Sequence, residues 1–267
     1  MNDIQNANRL QWLDEVKGLG ILLMVIGHAS APKLLVHWIY GFHMPLFFWV
    51  AGYLFDYGKW EKRGFVMLMK SRAKSYLFPY CMLFTINLVI YSVLRILSGR
   101  TYTLITFLNY IIAGIYSHDT KMPNCAPLWF LTCLFVSYIF FWFIVSRKNS
   151  FMKYVIAVAF IVALLSISAW ERKFGIDQMP WHLDAAFAGS VFMFFGNEFK
   201  RVHILLKKSR ATVLNTNIIV IPIIIVLVLI STVFILLNGN RQTSGRKKRP
   251  PPQRPGFEMA VRDSIRF

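Results

Sequence analysis

Apolar residues along the chain fall into long blocks, each close to the length that a helix needs to cross a bilayer. A spanning helix takes about 20 residues, and seven blocks approach or exceed that length: 13–31, 36–55, 76–97, 127–146, 153–170, 182–199 and 212–237. An eighth apolar stretch, 102–117, is shorter, and is either a span, a re-entrant segment or a helix lying in the membrane interface. The pattern predicts an all-α, polytopic integral membrane helix bundle of about seven to eight transmembrane helices.

Basic residues between the blocks predict the topology. Cytoplasmic loops of membrane proteins are enriched in Lys and Arg, and basic clusters occur here in 59–74, 147–153 and 200–210. If 102–117 does not cross, all three clusters share the side of Arg9 and Lys17. The charges therefore favour a cytoplasmic N-terminus and seven crossings.

Composition agrees with a membrane protein and excludes several other classes. Of the 267 residues, 56% are apolar and 16% are charged, with 30 Lys and Arg against 12 Asp and Glu. Soluble domains are less hydrophobic, and disordered chains far less so. Cys81, Cys125 and Cys133 form no C-x-x-C pair and have no His at ligand spacing, so we predict no metal site.

The last 29 residues, 239–267, differ in kind from the rest of the chain. They hold eight basic residues against Glu258 and Asp263, and four prolines that prevent a helix. This composition predicts a disordered tail, more typical of a solvated or out-of-frame segment than of a site for nucleic acid or anionic lipid. The predicted divisions are a cytoplasmic segment 1–12, a transmembrane domain 13–238 and the tail 239–267.

Ionisable residues share one face of the first predicted span. Asp14, Lys17 and His28 recur at helical steps, and Lys17 lies about three turns, or ~16 Å, before His28. Such groups are costly in a membrane unless they are paired or line a cavity. His28 is either bonded to a neighbouring helix or a general base, since imidazole titrates near neutral pH. A second histidine, His43, precedes Pro45, which bends a helix toward the interior.

Three further elements carry candidate residues. Arg72 and Lys74, in the basic run 70–75, either set the topology or bind the phosphates of an anionic cofactor. Trp129 opens the block 127–146, where a tryptophan is usually an interfacial anchor. Asp184 lies early in the block 182–199, where a carboxylate needs a partner or a role.

Four of these motifs, in their order and spacing, resemble the membrane-bound acyltransferase family 3 over roughly residues 10–237. They are Leu13-Asp14-Glu15-Val16-Lys17-Gly18 with Gly27-His28, Phe42-His43-Met44-Pro45 with Gly52, Arg72 with Pro79-Tyr80, and Leu128-Trp129-Phe130-Leu131. The element Trp181-His182-Leu183-Asp184, followed by Phe194-Phe195-Gly196, is most similar to the branch that O-acetylates sugars, such as fucose 4-O-acetylase-like proteins.

The resemblance implies a multi-pass enzyme of the inner membrane. It would move an acyl group, usually acetyl, from acyl-CoA on the cytoplasmic side to a hydroxyl of a cell-envelope carbohydrate. Its partners would be acetyl-CoA as donor, a carbohydrate acceptor and membrane lipids, with neither metal nor nucleic acid. Carried over to this sequence, His28 is the catalytic histidine, and Lys17, Arg72 and Lys74 are the acyl-CoA ligands. We further predict that a carboxylate, Asp14 or Asp184, orients His28, and that His43, Trp129 and Asp184 bind the acceptor.

Two positions depart from the family pattern. The family has Arg where Lys17 stands, and a second Arg where Ser75 stands, beside Lys74 as a substitute. Lysine keeps the charge of arginine but loses its planar fork of donors. Family members also have more spans than the seven predicted here, so we expect a C-terminally truncated form.

Three hypotheses of function stay open. The first is an O-acyltransferase in which His28 acts either as a general base or as an acyl carrier. The second is a transporter or flippase for lipid-linked glycans whose His and Asp residues relay protons. The third is an inactive, truncated family member. The sequence shows no repeat halves, which disfavours the transporter.

Overall fold

The computed structural model describes residues 11–29, 32–99, 103–118, 121–122, 126–175 and 178–208. These ranges form nine α-helices and no strand: α1 Gln11–His28, α2 Lys33–Tyr53, α3 Tyr57–Arg63, α4 Phe65–Arg72, α5 Phe78–Leu97, α6 Leu104–Tyr116, α7 Trp129–Val145, α8 Ser150–Phe174 and α9 Leu183–Lys208. The predicted all-α class is confirmed. The predicted span 212–237 and the tail 239–267 lie outside the described residues, as does the whole of the second of the two units into which the chain divides, 219–267.

Two of the helices are long and apolar enough to cross a membrane. They are Phe65–Leu97, which runs from α4 through a π-helical turn at Ala73–Leu77 into α5, and Ser150–Glu171 within α8. Only 11% and 6% of their most apolar windows are buried inside the protein. Soluble proteins rarely expose such large contiguous apolar patches, so we infer that these faces contact lipid.

The centre of the bundle is built on backbone contact between α2 and α9. A Cβ atom at Gly52 would overlap the backbone of Met193, and one at Gly196 would overlap the carbonyl oxygen of Trp49. Small residues allow such close approach of helices in membranes. Helix α9 also packs against α7 and α8, while α1 packs against α2.

Helices α6 and α7 pack one after the other along the long helix formed by α4 and α5. Their order along it is antiparallel to that helix. Four contacts, taken from the end of α5 back to the start of α4, show this order: Tyr91–Tyr110, Tyr80–Gly114, Tyr76–Tyr138 and Phe65–Trp142. The pair α6 and α7 therefore packs along successive parts of this long helix, and we call the pair the interrupted helix. The interruption lies beside Tyr80, which packs with Leu128 and Leu131.

The interrupted helix bears on the predicted topology. Helix α6 has 13 residues, fewer than the about 20 that a helix needs to cross a bilayer. The end of α7 lies beside the start of α4, where the rings of Trp142 and Phe65 are in contact. Lys200 of α9 donates a hydrogen bond of 2.9 Å to the carbonyl oxygen of Phe55. The described parts of the three basic clusters therefore lie at one end of the bundle, here called the basic end. The number of crossings stays a prediction.

Candidate active site

At the basic end, Arg72 is held between two aromatic rings. The carbon Cζ of its guanidinium lies 4.4 Å from the ring centroid of Tyr138 and 5.6 Å from that of Trp60. Such cation–π contacts orient a guanidinium without using its N–H donors. The Nε atom of Arg72 is buried and, within the described ranges, has no hydrogen-bond partner. The arrangement fixes the position of the cation and leaves this buried donor unpartnered in the described ranges.

The π-helical turn after Arg72 separates the two predicted acyl-CoA ligands of this segment. Such turns insert one extra residue into a helix and are common at functional sites. Here Arg72 and Tyr76 both face Tyr138, whose ring stacks on that of Tyr76 with centroids 5.8 Å apart. Lys74 is exposed instead. The basic run therefore presents Arg72 to the bundle and Lys74 to the surroundings.

Helix α3 positions Trp60 beneath Arg72. Its N-terminus is capped by Asp56, whose side chain accepts a hydrogen bond of 3.1 Å from the backbone N–H of Lys59. Tyr57 donates to Glu61 over 3.2 Å. Burial, followed by this bond and the negative charge of Glu61, raises the pKa of Tyr57 above its usual value. The phenol therefore stays neutral at physiological pH.

The interruption between α6 and α7 is stabilised by side chains from other segments. A helix end inside a membrane leaves carbonyl oxygens that need donors. Three side chains supply them: Tyr80 bonds the carbonyl of Gly114, Trp181 that of Ile115 at 2.7 Å, and Gln178 that of Ser117 at 2.9 Å. The break is therefore a built feature of the fold.

His182 lies at this break in a strained turn. Trp181 and His182 adopt φ values of 53° and 52°, in the left-handed region that favours glycine. Strain of this kind persists only where the surroundings enforce it, and it clusters at functional sites. The buried ring of His182 lies 4.3 Å from that of Trp129, and its Nε2 atom lies 2.9 Å from Nε2 of Gln178. Because the amide nitrogen donates, Nε2 of His182 accepts and its ring proton is assigned to Nδ1.

The same region contains a short buried chain of hydroxyl groups and a carboxylate. The hydroxyls of Ser117 and Thr132 are 2.8 Å apart, and that of Thr132 donates to the carbonyl of Trp129 over 2.8 Å. One carboxylate oxygen of Asp184 is buried and has no hydrogen-bond partner in the described part of the chain. We call His182, Gln178, Ser117, Thr132, Trp129 and Asp184 the polar centre.

The structure separates the two predicted catalytic residues. Asp14 forms an ion pair of 3.4 Å with Lys17, and both side chains are more than a third exposed. Because α1 is continuous, Asp14 lies about 21 Å along the helix axis from His28. Asp14 therefore lies beside Lys17 near the basic end, about four turns along the helix from the backbone of His28.

The two predicted site histidines, His28 of α1 and His43 of α2, lie away from the basic end. Gly20 packs against Phe47, and the helices are antiparallel, so the backbone of His28 reaches about the height of Ile39. The side chain of His28 is outside the described part. His43 is buried, and its Nδ1 atom lies 2.7 Å from the carbonyl oxygen of Ile39.

Of the predicted site residues, the structure brings Trp129 and Asp184 to the polar centre and leaves Arg72 at the basic end. Trp129 and Tyr138, which contacts Arg72, are nine residues apart on α7, or about 13 Å. Tyr138, Gln178 and His182 are functional candidates not predicted from the sequence. His182 follows a Trp at the start of an apolar block, a pattern that could have indicated it, whereas spacing alone does not indicate Gln178.

Comparison with protein families decides the wider identity of the chain. A family model described as an acyltransferase domain matches residues 10–261. The chain belongs to acyltransferase family 3. Comparisons with curated proteins and with solved structures give no match. Membership in acyltransferase family 3, together with the apolar helices, makes the protein a membrane acyltransferase. The more specific assignment to its sugar-acetylating branch stays a prediction.

Proposed function

We propose that this acyltransferase, as a multi-pass protein of the inner membrane, transfers an acetyl group from acetyl-CoA to a hydroxyl of a cell-envelope carbohydrate. The observation that carries the proposal is the oriented guanidinium of Arg72, with its buried and unpartnered Nε, at the basic end of the bundle. Guanidinium groups are strong ligands of phosphate. CoA is a polyanion, and its phosphates fit this end.

The distance between Arg72 and the polar centre suits a long donor. With the phosphates of CoA at Arg72, the thioester would lie farther along α7, toward Trp129. Lys74 and Lys17 add positive charge on the same side of the bundle, and Asp14 holds Lys17 in place. Trp129, Asp184 and His43 would contact the acceptor.

The resemblance assigns the chemical step to His28. As a general base, its imidazole takes the proton of the acceptor hydroxyl while the oxygen attacks the thioester carbonyl carbon. The tetrahedral intermediate then expels the CoA thiolate by breaking its C–S bond, and the thiolate takes the proton from the imidazolium. The products are an acetyl ester and free CoA, so atoms and charge balance.

Replacing Arg72 with Ala is expected to raise the KM for acetyl-CoA about 10- to 100-fold, since a hydrogen bond to a charged group contributes about 1.5–3 kcal/mol. The KM of Arg72→Lys should lie between those of the unaltered chain and of Arg72→Ala, because lysine keeps the positive charge but lacks the planar set of N–H donors of arginine. The measurement is transfer of labelled acetyl from [14C]acetyl-CoA to envelope polysaccharide in membranes that contain the full chain.

Arg201→Ala is the matched control. Arg201 is an exposed cation near the same end of the bundle, paired with Glu198 at 2.9 Å. Its removal should leave the KM for acetyl-CoA unchanged. An unchanged KM in Arg72→Ala would place the donor elsewhere. Membranes that move glycan but transfer no label would contradict the proposed function and favour a flippase.

A further inference from the structure

A cavity of about 760 Å³ lies beside the interrupted helix and takes no part in the donor site. Its volume falls within the ~300–1,000 Å³ typical of small-molecule sites. The polar side chains among its walls are those of Asn109, Tyr110, Tyr116, His118, Lys121 and Gln178. Neither the sequence motifs nor the proposed chemical step assigns this cavity a ligand.

The walls match a ligand rich in hydroxyl groups. Amide, phenol and imidazole side chains each offer both a donor and an acceptor, as hydroxyl groups do. Side chains of this kind can exchange hydrogen bonds with the hydroxyl groups of a ligand. Tyrosine rings add flat apolar faces.

The charge of the walls favours an acidic ligand. Among the described residues that line the cavity, Lys121 is the only one with a permanent charge. A second cation stands behind the wall, because Arg95 donates to the hydroxyl of Tyr91 over 2.8 Å and that hydroxyl lies 3.1 Å from the hydroxyl of Tyr110. Ammonium groups bind carboxylates by charge-assisted hydrogen bonds.

The inner wall of the cavity is preorganised. The side-chain amide nitrogen of Gln178 lies 2.9 Å from both the carbonyl oxygen of Ser117 and Nε2 of His182. The backbone carbonyl of Gln178 accepts a hydrogen bond of 2.8 Å from Tyr116. Groups fixed before binding lose little entropy when a ligand arrives.

We propose that this cavity binds an acidic sugar unit, with the sugar carboxylate at Lys121 and the hydroxyls at Asn109, His118 and Gln178. Its role as the acceptor site rests on the proposed function, whereas sugar binding itself does not. The cavity meets the polar centre through Gln178 and His182, which places a bound sugar next to Trp129.

The test compares the binding of D-glucuronate and D-glucose to the purified, detergent-solubilised full chain in the absence of acetyl-CoA. Binding is measured by saturation-transfer NMR and by tryptophan fluorescence. The two sugars differ by one carboxylate. We expect glucuronate to bind about tenfold more tightly than glucose at low salt, as one charge-assisted hydrogen bond allows. Lys121→Ala should abolish this preference, and Asn109→Trp, at an exposed position of the wall, should prevent binding of both sugars.

Lys173→Ala is the control, since Lys173 is an exposed lysine near the end of α8 that is not among the residues lining the cavity. It should keep the tenfold preference. Absence of saturable glucuronate binding, or a preference that persists in Lys121→Ala, overturns the proposal. Glucuronate binding without label transfer would refute the acyl transfer and leave the cavity assignment standing. Label transfer without glucuronate binding would refute the cavity assignment and leave the acyl transfer standing.

Discussion

Replacement of His28 by Ala is expected to lower acetyl transfer to carbohydrate by about 10²–10⁴-fold, the usual contribution of a positioned general base. The acceptor hydroxyl is a poor nucleophile until its proton is removed. The KM for acetyl-CoA should change little, because His28 is the last residue of α1, whereas Asp14 and Lys17 lie near its first residue. Label incorporated from [14C]acetyl-CoA measures both parameters.

Two further variants separate chemistry from folding. Leu22→Ala removes an exposed apolar side chain from the same helix and should transfer acetyl at the rate of the unaltered chain. His28→Asn keeps a polar group of similar size that cannot act as a base, and it should be as inactive as His28→Ala. An undiminished rate in both His28 variants would assign the base to another imidazole, with His43, His118 and His182 as the buried candidates among the described residues.

The same label distinguishes direct transfer from an acyl-histidine intermediate. In the absence of acceptor, an acyl carrier retains label on the protein after rapid quenching, whereas a general base retains none. Retained label that disappears in His28→Asn would establish the covalent route.

Most of the fold follows from the lengths of the apolar blocks. The block 153–170 predicts a helix that the structure extends to Ser150–Phe174, and 182–199 becomes Leu183–Lys208. The extensions consist largely of polar residues such as Lys200 and Arg201, which are good helix formers but lie outside the apolar pattern. Apolar runs therefore predict that a helix exists better than where it ends.

The pairing of α6 with α7 could not be predicted from either segment alone. The stretch 102–117 has the composition of a short span, and its length indicates only that it falls short of a full crossing. Its role is decided by contacts distant in sequence, such as Tyr80 with Gly114 and Trp181 with the carbonyl of Ile115. Periodicity within a segment contains no information about such partners.

The candidate site, too, could be predicted from the sequence only in part. Motif spacing indicated Arg72, and its position at a helix junction follows from the basic run that precedes an apolar block. The aromatic rings that hold it, Trp60 and Tyr138, lie 12 residues before it and 66 residues after it. Tyr138 lies in an apolar run, so its composition does not distinguish it from core. Trp60 lies among charged residues of α3, and its position in the sequence does not indicate a contact with Arg72.

The close approach of α2 and α9 predicts a large loss of stability on adding a single methyl group. Gly196→Ala should cost about 3 kcal/mol or more, at or beyond the upper end for overpacked cores, because the atom that its Cβ meets is the backbone oxygen of Trp49. A flexible side chain could rotate away, but a backbone oxygen moves only with its helix. The measurement is the Tm of the full chain in detergent, together with the yield of folded protein.

Gly18→Ala is the matched control, since a Cβ at Gly18 meets no atom within 4 Å. Alanine favours helix over glycine by about 1 kcal/mol, so this variant should keep or slightly raise the Tm. Gly52→Ala probes the same contact from the facing helix, where its Cβ would meet the backbone of Met193. A Tm unchanged in both Gly196→Ala and Gly52→Ala would mean that α2 and α9 do not touch. The polar centre would then lose its support, because Asp184 is carried by α9 and Trp129 packs on the segment that precedes it.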